Sequence, residues 1–107
     1  MSSDESAPTS MKLTFKRSAW EEVIELDGSV KKKVLAQLVK ICDNPLAGEP
    51  LGGDLAGYRK IYVNDKRLRI VWQVQPNKVV ILGVGKRDKS EIYRLIKGRF
   101  GEEESRA

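Results

Sequence analysis

Six cationic or phenolic positions in the second half of this 107-residue chain have the types and spacing that phosphodiester chemistry needs: Lys60 with Tyr62, Arg69, the pair Lys86-Arg87, and Tyr93. Arginine's planar fork matches the nonbridging oxygens of a phosphate, and a lysine or tyrosine can accept a proton from a hydroxyl. The chain has no histidine and a single cysteine, Cys42, so histidine catalysis, histidine-containing zinc sites and thiolate cages are all excluded. Cys42 falls in an apolar helical pattern and reads as a buried thiol. RNA, however, carries its own nucleophile in the 2′-hydroxyl. A protein that cuts it must hold that oxygen in line with the phosphate, stabilise the growing charge and move protons, and this asks for no metal and no cofactor.

Such a site needs strands to align it. Tyr58 to Val63, Arg67 to Gln75 and Val79 to Lys86 read as three strands separated by the turns Asn64-Asp65-Lys66 and Pro76-Asn77. Alternation sends Leu68, Ile70 and Trp72 to one face and Arg69 and Gln73 to the other. On the strand before, Ile61 and Val63 take the core side, leaving Lys60 and Tyr62 with Arg69. On the strand after, Val80, Leu82 and Val84 suit the core, which puts Gly83, Gly85 and Arg87 on the face of Arg69. Two glycines in that row predict a floor without side chains, where a ligand can come close.

The remaining elements are a short first strand, Met11 to Phe15, and two amphipathic helices. The first helix follows a capping box at Ser18-Ala-Trp-Glu21 and ends on a left-handed Gly28; the second runs from an N-cap at Ser29 to about Asn44. A last helix starts at a second capping box, Asp88-Lys-Ser-Glu91, carries Tyr93, and stops near Gly98. The order is βααβββα, an α+β fold with an antiparallel sheet, the N-terminal helical hairpin on one face, a short C-terminal helix, and the other face open. Residues 1–10 are expected to be a disordered leader, 11–100 the domain, and 101–107 a disordered acidic tail.

Composition agrees with one globular domain: 40% of residues are apolar and 33% charged. No apolar run approaches the roughly 20 residues that cross a bilayer, and there is no signal pattern, so no membrane partner and a cytoplasmic location are expected. The formal net charge is +5, yet residues 57–100 alone carry twelve lysines and arginines against three acids. That concentration suits either a polyanion-binding surface or a solvated basic face.

The run Arg69-Ile-Val-Trp-Gln-Val74, a turn, Val79-Val-Ile-Leu, and then Gly83-Val-Gly-Lys-Arg-Asp-Lys-Ser-Glu-Ile-Tyr93 resembles the RelE branch of the RelE/ParE toxin superfamily, and the likeness extends from Met11 to about Phe100. The resemblance implies a toxin of a type II toxin–antitoxin system that cleaves mRNA in the ribosomal A site and is neutralised by an acidic, partly disordered antitoxin. It also implies roles. Lys60 becomes a base or charge stabiliser, Arg69 and Arg87 phosphate ligands, and Tyr93 a stacking platform for a base. Tyr62 stands where such toxins often have a second lysine, and the Arg59-Lys60 pair leaves the register open by one residue. Two other readings remain: a ParE-like gyrase inhibitor that cleaves nothing, and a noncatalytic RNA-binding module.

Overall fold

The computed structural model describes residues 11–86 and 91–106. A six-stranded sheet in the order β2-β3-β4-β5-β1-β6 forms its centre. The strands are β1 (Lys12–Lys16), β2 (Glu49–Pro50), β3 (Tyr58–Val63), β4 (Leu68–Val74), β5 (Lys78–Lys86) and β6 (Glu104–Arg106). Among the described residues three α-helices accompany them: α1 (Arg17–Ile24), α2 (Gly28–Asp43) and α3 (Ile92–Arg99). The α+β class is as expected from sequence, and so is the βααβββα order, to which the short strands β2 and β6 are added. Among the described residues no helix is long and apolar enough to cross a membrane.

The sheet is antiparallel except where β1 lies parallel to β5, with Lys12 opposite Lys78 and Phe15 opposite Ile81. The chain between them passes through β2, β3 and β4 after the crossover that a parallel pair needs, the α1–α2 hairpin. The hairpin covers one face of the sheet, where Phe15, Ala19, Val23, Val34, Leu38 and Ile41 close over Ile70 and the fully buried Trp72. The indole N–H of Trp72 donates to the Pro45 carbonyl at 3.1 Å. That contact brings the loop after α2 down onto β3, and at Gly48, with φ +74°, any Cβ would strike the Lys60 carbonyl. Only glycine fits there.

Four expectations are corrected. The opposite face is not fully open: α3 packs on it, and Ile96 joins Tyr58, Val71, Val80 and Leu82 in a second core. The alternation of β5 inverts part-way, because Val71 pairs with Gly83 while Trp72 pairs with Ile81, leaving Leu82 as an extra, bulged residue. Before the bulge Val79 and Ile81 face the hairpin and Val80 and Leu82 face α3; beyond it Val84 returns to the hairpin side. The acidic tail expected to be disordered instead forms β6 on β1, with Phe15 opposite Ser105. Neither the Ser18 nor the Ser29 cap forms as expected: α1 starts at Arg17 without a side-chain cap, and Gly28 opens α2. The second capping box falls on residues 88–91, of which 88–90 lie outside the described residues.

The tail orders because Lys16 needs it. This lysine is buried, and its ammonium donates to the Phe100 and Glu102 carbonyls at 3.0 Å each and to the Glu104 carboxylate at 3.4 Å. A buried ammonium without such acceptors would be costly. Glu104 also takes a 2.7 Å bond from Lys78, and Glu102 accepts the Ser18 hydroxyl and amide at 2.6 and 2.8 Å, filling the first turn of α1.

Candidate active site

The strand pairing sets out the site row by row. Arg69 on β4 lies between Tyr62 on β3 and Gly85 on β5, and Val71 lies between Lys60 and Gly83 in the next row. Lys60, Tyr62 and Arg69 therefore share the face away from the hairpin, as alternation predicts. The register question at Arg59-Lys60 is resolved by where each points. The Arg59 guanidinium binds the carbonyls of Leu46, Ala47 and Gly48 in the loop after α2, so Lys60 is the residue that serves the open face.

Lys60 is itself tethered. Its ammonium donates to the Tyr62 hydroxyl at 3.2 Å and approaches the Glu49 carboxylate at 3.6 Å, because β2 sets Glu49 directly opposite Lys60. Arg69 is only 7% exposed. Burial lowers the pKa of its guanidinium, an effect opposed by the fields of Tyr62 and Glu22. Arginine keeps its charge through such a shift, so a buried positive fork stands beside a phenol at the mouth of the sheet.

The two glycines of the row do different things. A Cβ on Gly83 would come within 2.9 Å of a Leu95 methyl and 3.2 Å of Arg99 Nη1, so this glycine makes room for α3 and not for a ligand. A Cβ on Gly85 would meet nothing closer than Glu22 Oε2 at 3.8 Å, so the space beside Arg69 is open. The expectation of a glycine floor holds at Gly85 only.

Tyr93 rides on the first turn of α3, 44% exposed, with Lys97 Nζ 5.4 Å from its ring centroid. Lys86 does not join the Arg69 row. It lies across from Leu68 and lines a cavity of about 600 Å³ on the hairpin side, together with Leu26 and Val30. Arg87 lies outside the described residues.

Sequence reading missed Glu22 and Arg99. β1 ends opposite the middle of β5, leaving the edge of the bulged half unpaired, and these two side chains satisfy it. Glu22 Oε1 accepts the Val84 amide at 2.9 Å, and Arg99 Nη1 donates to the Leu82 carbonyl at 2.9 Å. The two side chains also join each other by two bonds, of 2.8 and 2.9 Å. That pairing raises the Arg99 pKa. A signal was present: Glu22 sits three residues after the buried Ala19 and Arg99 three after the buried Ile96, each on the flank of an apolar stripe.

No family model matches the chain. A RelE-like toxin protein of Escherichia coli is 33% identical over 89 residues, which is 80% of this chain and 93% of the relative. The mRNA interferase toxin RelE of E. coli K12 is 33% identical over 84 residues, covering 76% of this chain and 87% of that one. The chain belongs to the RelE toxin family. The free state of an arginine-substituted E. coli RelE superposes with a TM-score of 0.71 at 26% identity, covering 84% of this chain and 97% of RelE. The RelE chain of the intact E. coli RelBE toxin–antitoxin complex superposes with a TM-score of 0.59 at 25% identity, covering 74% of this chain and 99% of that one. Within this RelE fold the site row Tyr62-Arg69-Gly85 lies at the end of the sheet that α3 leaves uncovered.

Proposed function

We propose that this RelE-family chain is the toxin of a type II toxin–antitoxin pair and an endoribonuclease that cleaves mRNA in the ribosomal A site. The observation that carries this reading is the buried Arg69 with a phenol on one side and open space over Gly85 on the other, on the fold of mRNA interferases. The phosphate enters over Gly85 and is bound by Arg69, with Arg87 as its second ligand. The 2′-oxygen attacks the adjacent phosphorus, the bond to the 5′-oxygen breaks, and the strand leaves as a 2′,3′-cyclic phosphate and a 5′-hydroxyl. Tyr62 takes the proton of the 2′-hydroxyl. The Lys60 ammonium, 3.2 Å from the Tyr62 oxygen, favours the phenolate that accepts this proton, a role that suits the departure from lysine at position 62, and the departing 5′-oxygen takes a proton from solvent. Tyr93 stacks on a base of the codon.

The partner that silences this activity is an acidic antitoxin, by analogy with RelB in the RelBE complex. The test is a translation extract programmed with a defined message, with cut positions mapped by primer extension. Codon-positioned cuts that vanish in Arg69→Ala and Arg87→Ala are expected. Their absence with the wild-type chain refutes the reading, and inhibited DNA supercoiling in their place would favour the ParE-like alternative.

A further inference from the structure

One carboxylate joins three elements around the site. Glu22 belongs to α1, accepts the Val84 amide of β5, holds Arg99 of α3 by two bonds, and borders the open space over Gly85 with Oε2. Arg69 lies within its field. A carboxylate beside a phosphate site repels the substrate and would be a liability unless it did something there. Both of its oxygens are occupied, so its charge is spent on the protein. Arg99 in turn donates to Glu22 on one side and to the Leu82 carbonyl of the bulge on the other.

We propose that Glu22 is a positioning residue for RNA cleavage, fixing through Arg99 the seat of α3 from which Tyr93 reaches the substrate and, through Val84, the strand that borders the phosphate space beside Arg69. This rests on the ribonuclease reading above. The bulge gives the clamp its purpose. Leu82 shifts the parity of β5 so that Gly85 faces the phosphate space while Gly83 faces α3, and it leaves the strand edge to be satisfied by side chains. Glu22 and Arg99 satisfy that edge and at once tie it to α3, whose Leu95 lies against Gly83. A change at Glu22 is thus felt on both walls of the cleft.

The test compares Glu22→Gln, Glu22→Asp, Arg99→Gln and the double variant Glu22→Gln/Arg99→Gln with the wild-type full chain in single-turnover cleavage of ribosome-bound message. Glu22→Gln keeps the shape and an acceptor for Val84 but removes the charge. The expected result is a rate constant at saturation that falls about tenfold or more, with half-saturation unchanged or tighter, because a negative charge has left a polyanion site. Glu22→Asp recovers part of the rate, and the double variant is no slower than the slower single. Cleavage by Glu22→Gln within about twofold of wild type overturns the proposal. So does a joint loss of rate and affinity that follows thermal stability and is not relieved by Asp. Side-chain NMR separates this from failure of the ribonuclease reading: the Arg69 Nε–Hε and Tyr93 ring resonances shift in Glu22→Gln far more than in Glu22→Asp. If the wild-type chain does not cut message, the ribonuclease reading fails, and the positioning claim stands or falls on those shifts.

Discussion

The two glycines of β5 are neighbours in one row, and the structure assigns them opposite consequences when each receives a single methyl. In Gly83→Ala the new carbon lies 2.9 Å from one Leu95 methyl, 3.1 Å from the other and 3.2 Å from Arg99 Nη1. Leu95 alone could yield by changing rotamer, but Arg99 is held by Glu22 and the Leu82 carbonyl and cannot. Overpacking of this kind costs about 1–3 kcal/mol, while replacing glycine in an extended strand returns roughly 0.4–1 kcal/mol by restricting the unfolded chain. The net loss is about 1.5 kcal/mol, which for a domain of this size lowers Tm by roughly 6–12 °C. In Gly85→Ala the nearest atom is 3.8 Å away, an ordinary contact, so only the favourable part remains and Tm holds or rises by a few degrees. Its methyl stands in the space beside Arg69, where the phosphate must lie, and cleavage falls by about 10²-fold. Thermal melts followed by circular dichroism, together with primer-extension cleavage on the same samples, measure both quantities. A Gly85→Ala protein that melts below Gly83→Ala, or that cleaves at wild-type rate, would refute the division of the row into a packed half and an open half.

Three further outcomes follow from the same geometry. With Tyr62 as proton acceptor, Tyr62→Phe lowers the single-turnover rate by about 10²–10⁴-fold and Lys60→Ala by less; equal activity of Tyr62→Phe and wild type would remove Tyr62 from the chemistry. Glu104 has its pKa lowered first by the hydrogen bond from Lys78, then by the charges of Lys78 and Lys16. A depressed carboxylate stabilises the fold above its usual value of about 4.5 and loses that contribution as pH falls through the folded-state value, so Tm of Glu104→Gln lies below wild type at pH 7 and the gap closes as pH falls below that usual value. A gap of constant size across that range contradicts the ion-pair account of β6. Binding of a short single-stranded RNA in a salt series should give a log–log slope of about −2 to −3, the value for three or four phosphate contacts, and a slope near −8 would mean that all the bases of the segment act on RNA.

The face shared by Lys60, Tyr62 and Arg69 could be read from sequence because β3 and β4 alternate cleanly and nothing interrupts them. In β5 the run Val79-Val80-Ile81-Leu82 is apolar at every position, since one face packs on the hairpin and the other on α3. A strand buried on both sides carries no parity signal, and a bulge inside it leaves no mark in composition. The reading of Gly83 failed for a related reason. A glycine that admits a helix and one that admits a ligand look alike in sequence, and only the position of Leu95 separates them. The tail was misread because three successive glutamates resemble a solvated end, whereas their acceptors answer Lys16, Ser18 and Lys78 from distant parts of the chain. Such pairing is long-range, and local pattern does not encode it.

The basic excess of residues 57–100 also changes meaning once its members are placed. Arg59 spends its guanidinium on three loop carbonyls, Lys78 on Glu104 and Arg99 on Glu22, so three of the twelve bases hold the scaffold together. Lys60 is shared between Glu49 and Tyr62. Net charge therefore overstates the field available to a polyanion, and what sets the site apart is placement. Arg69 is buried at the one row where β5 offers no side chain and α3 has not closed the space, so its charge is weakly screened there and the phosphate can approach it directly. The acids near this cleft, Glu22 and Glu49, are each engaged by a cation of the scaffold or site, which keeps the cleft positive without leaving its own cations loose. Positive charge and rigid placement thus come from the same ion pairs, and a substitution that removes an acid makes the surface more basic while making the site less ordered.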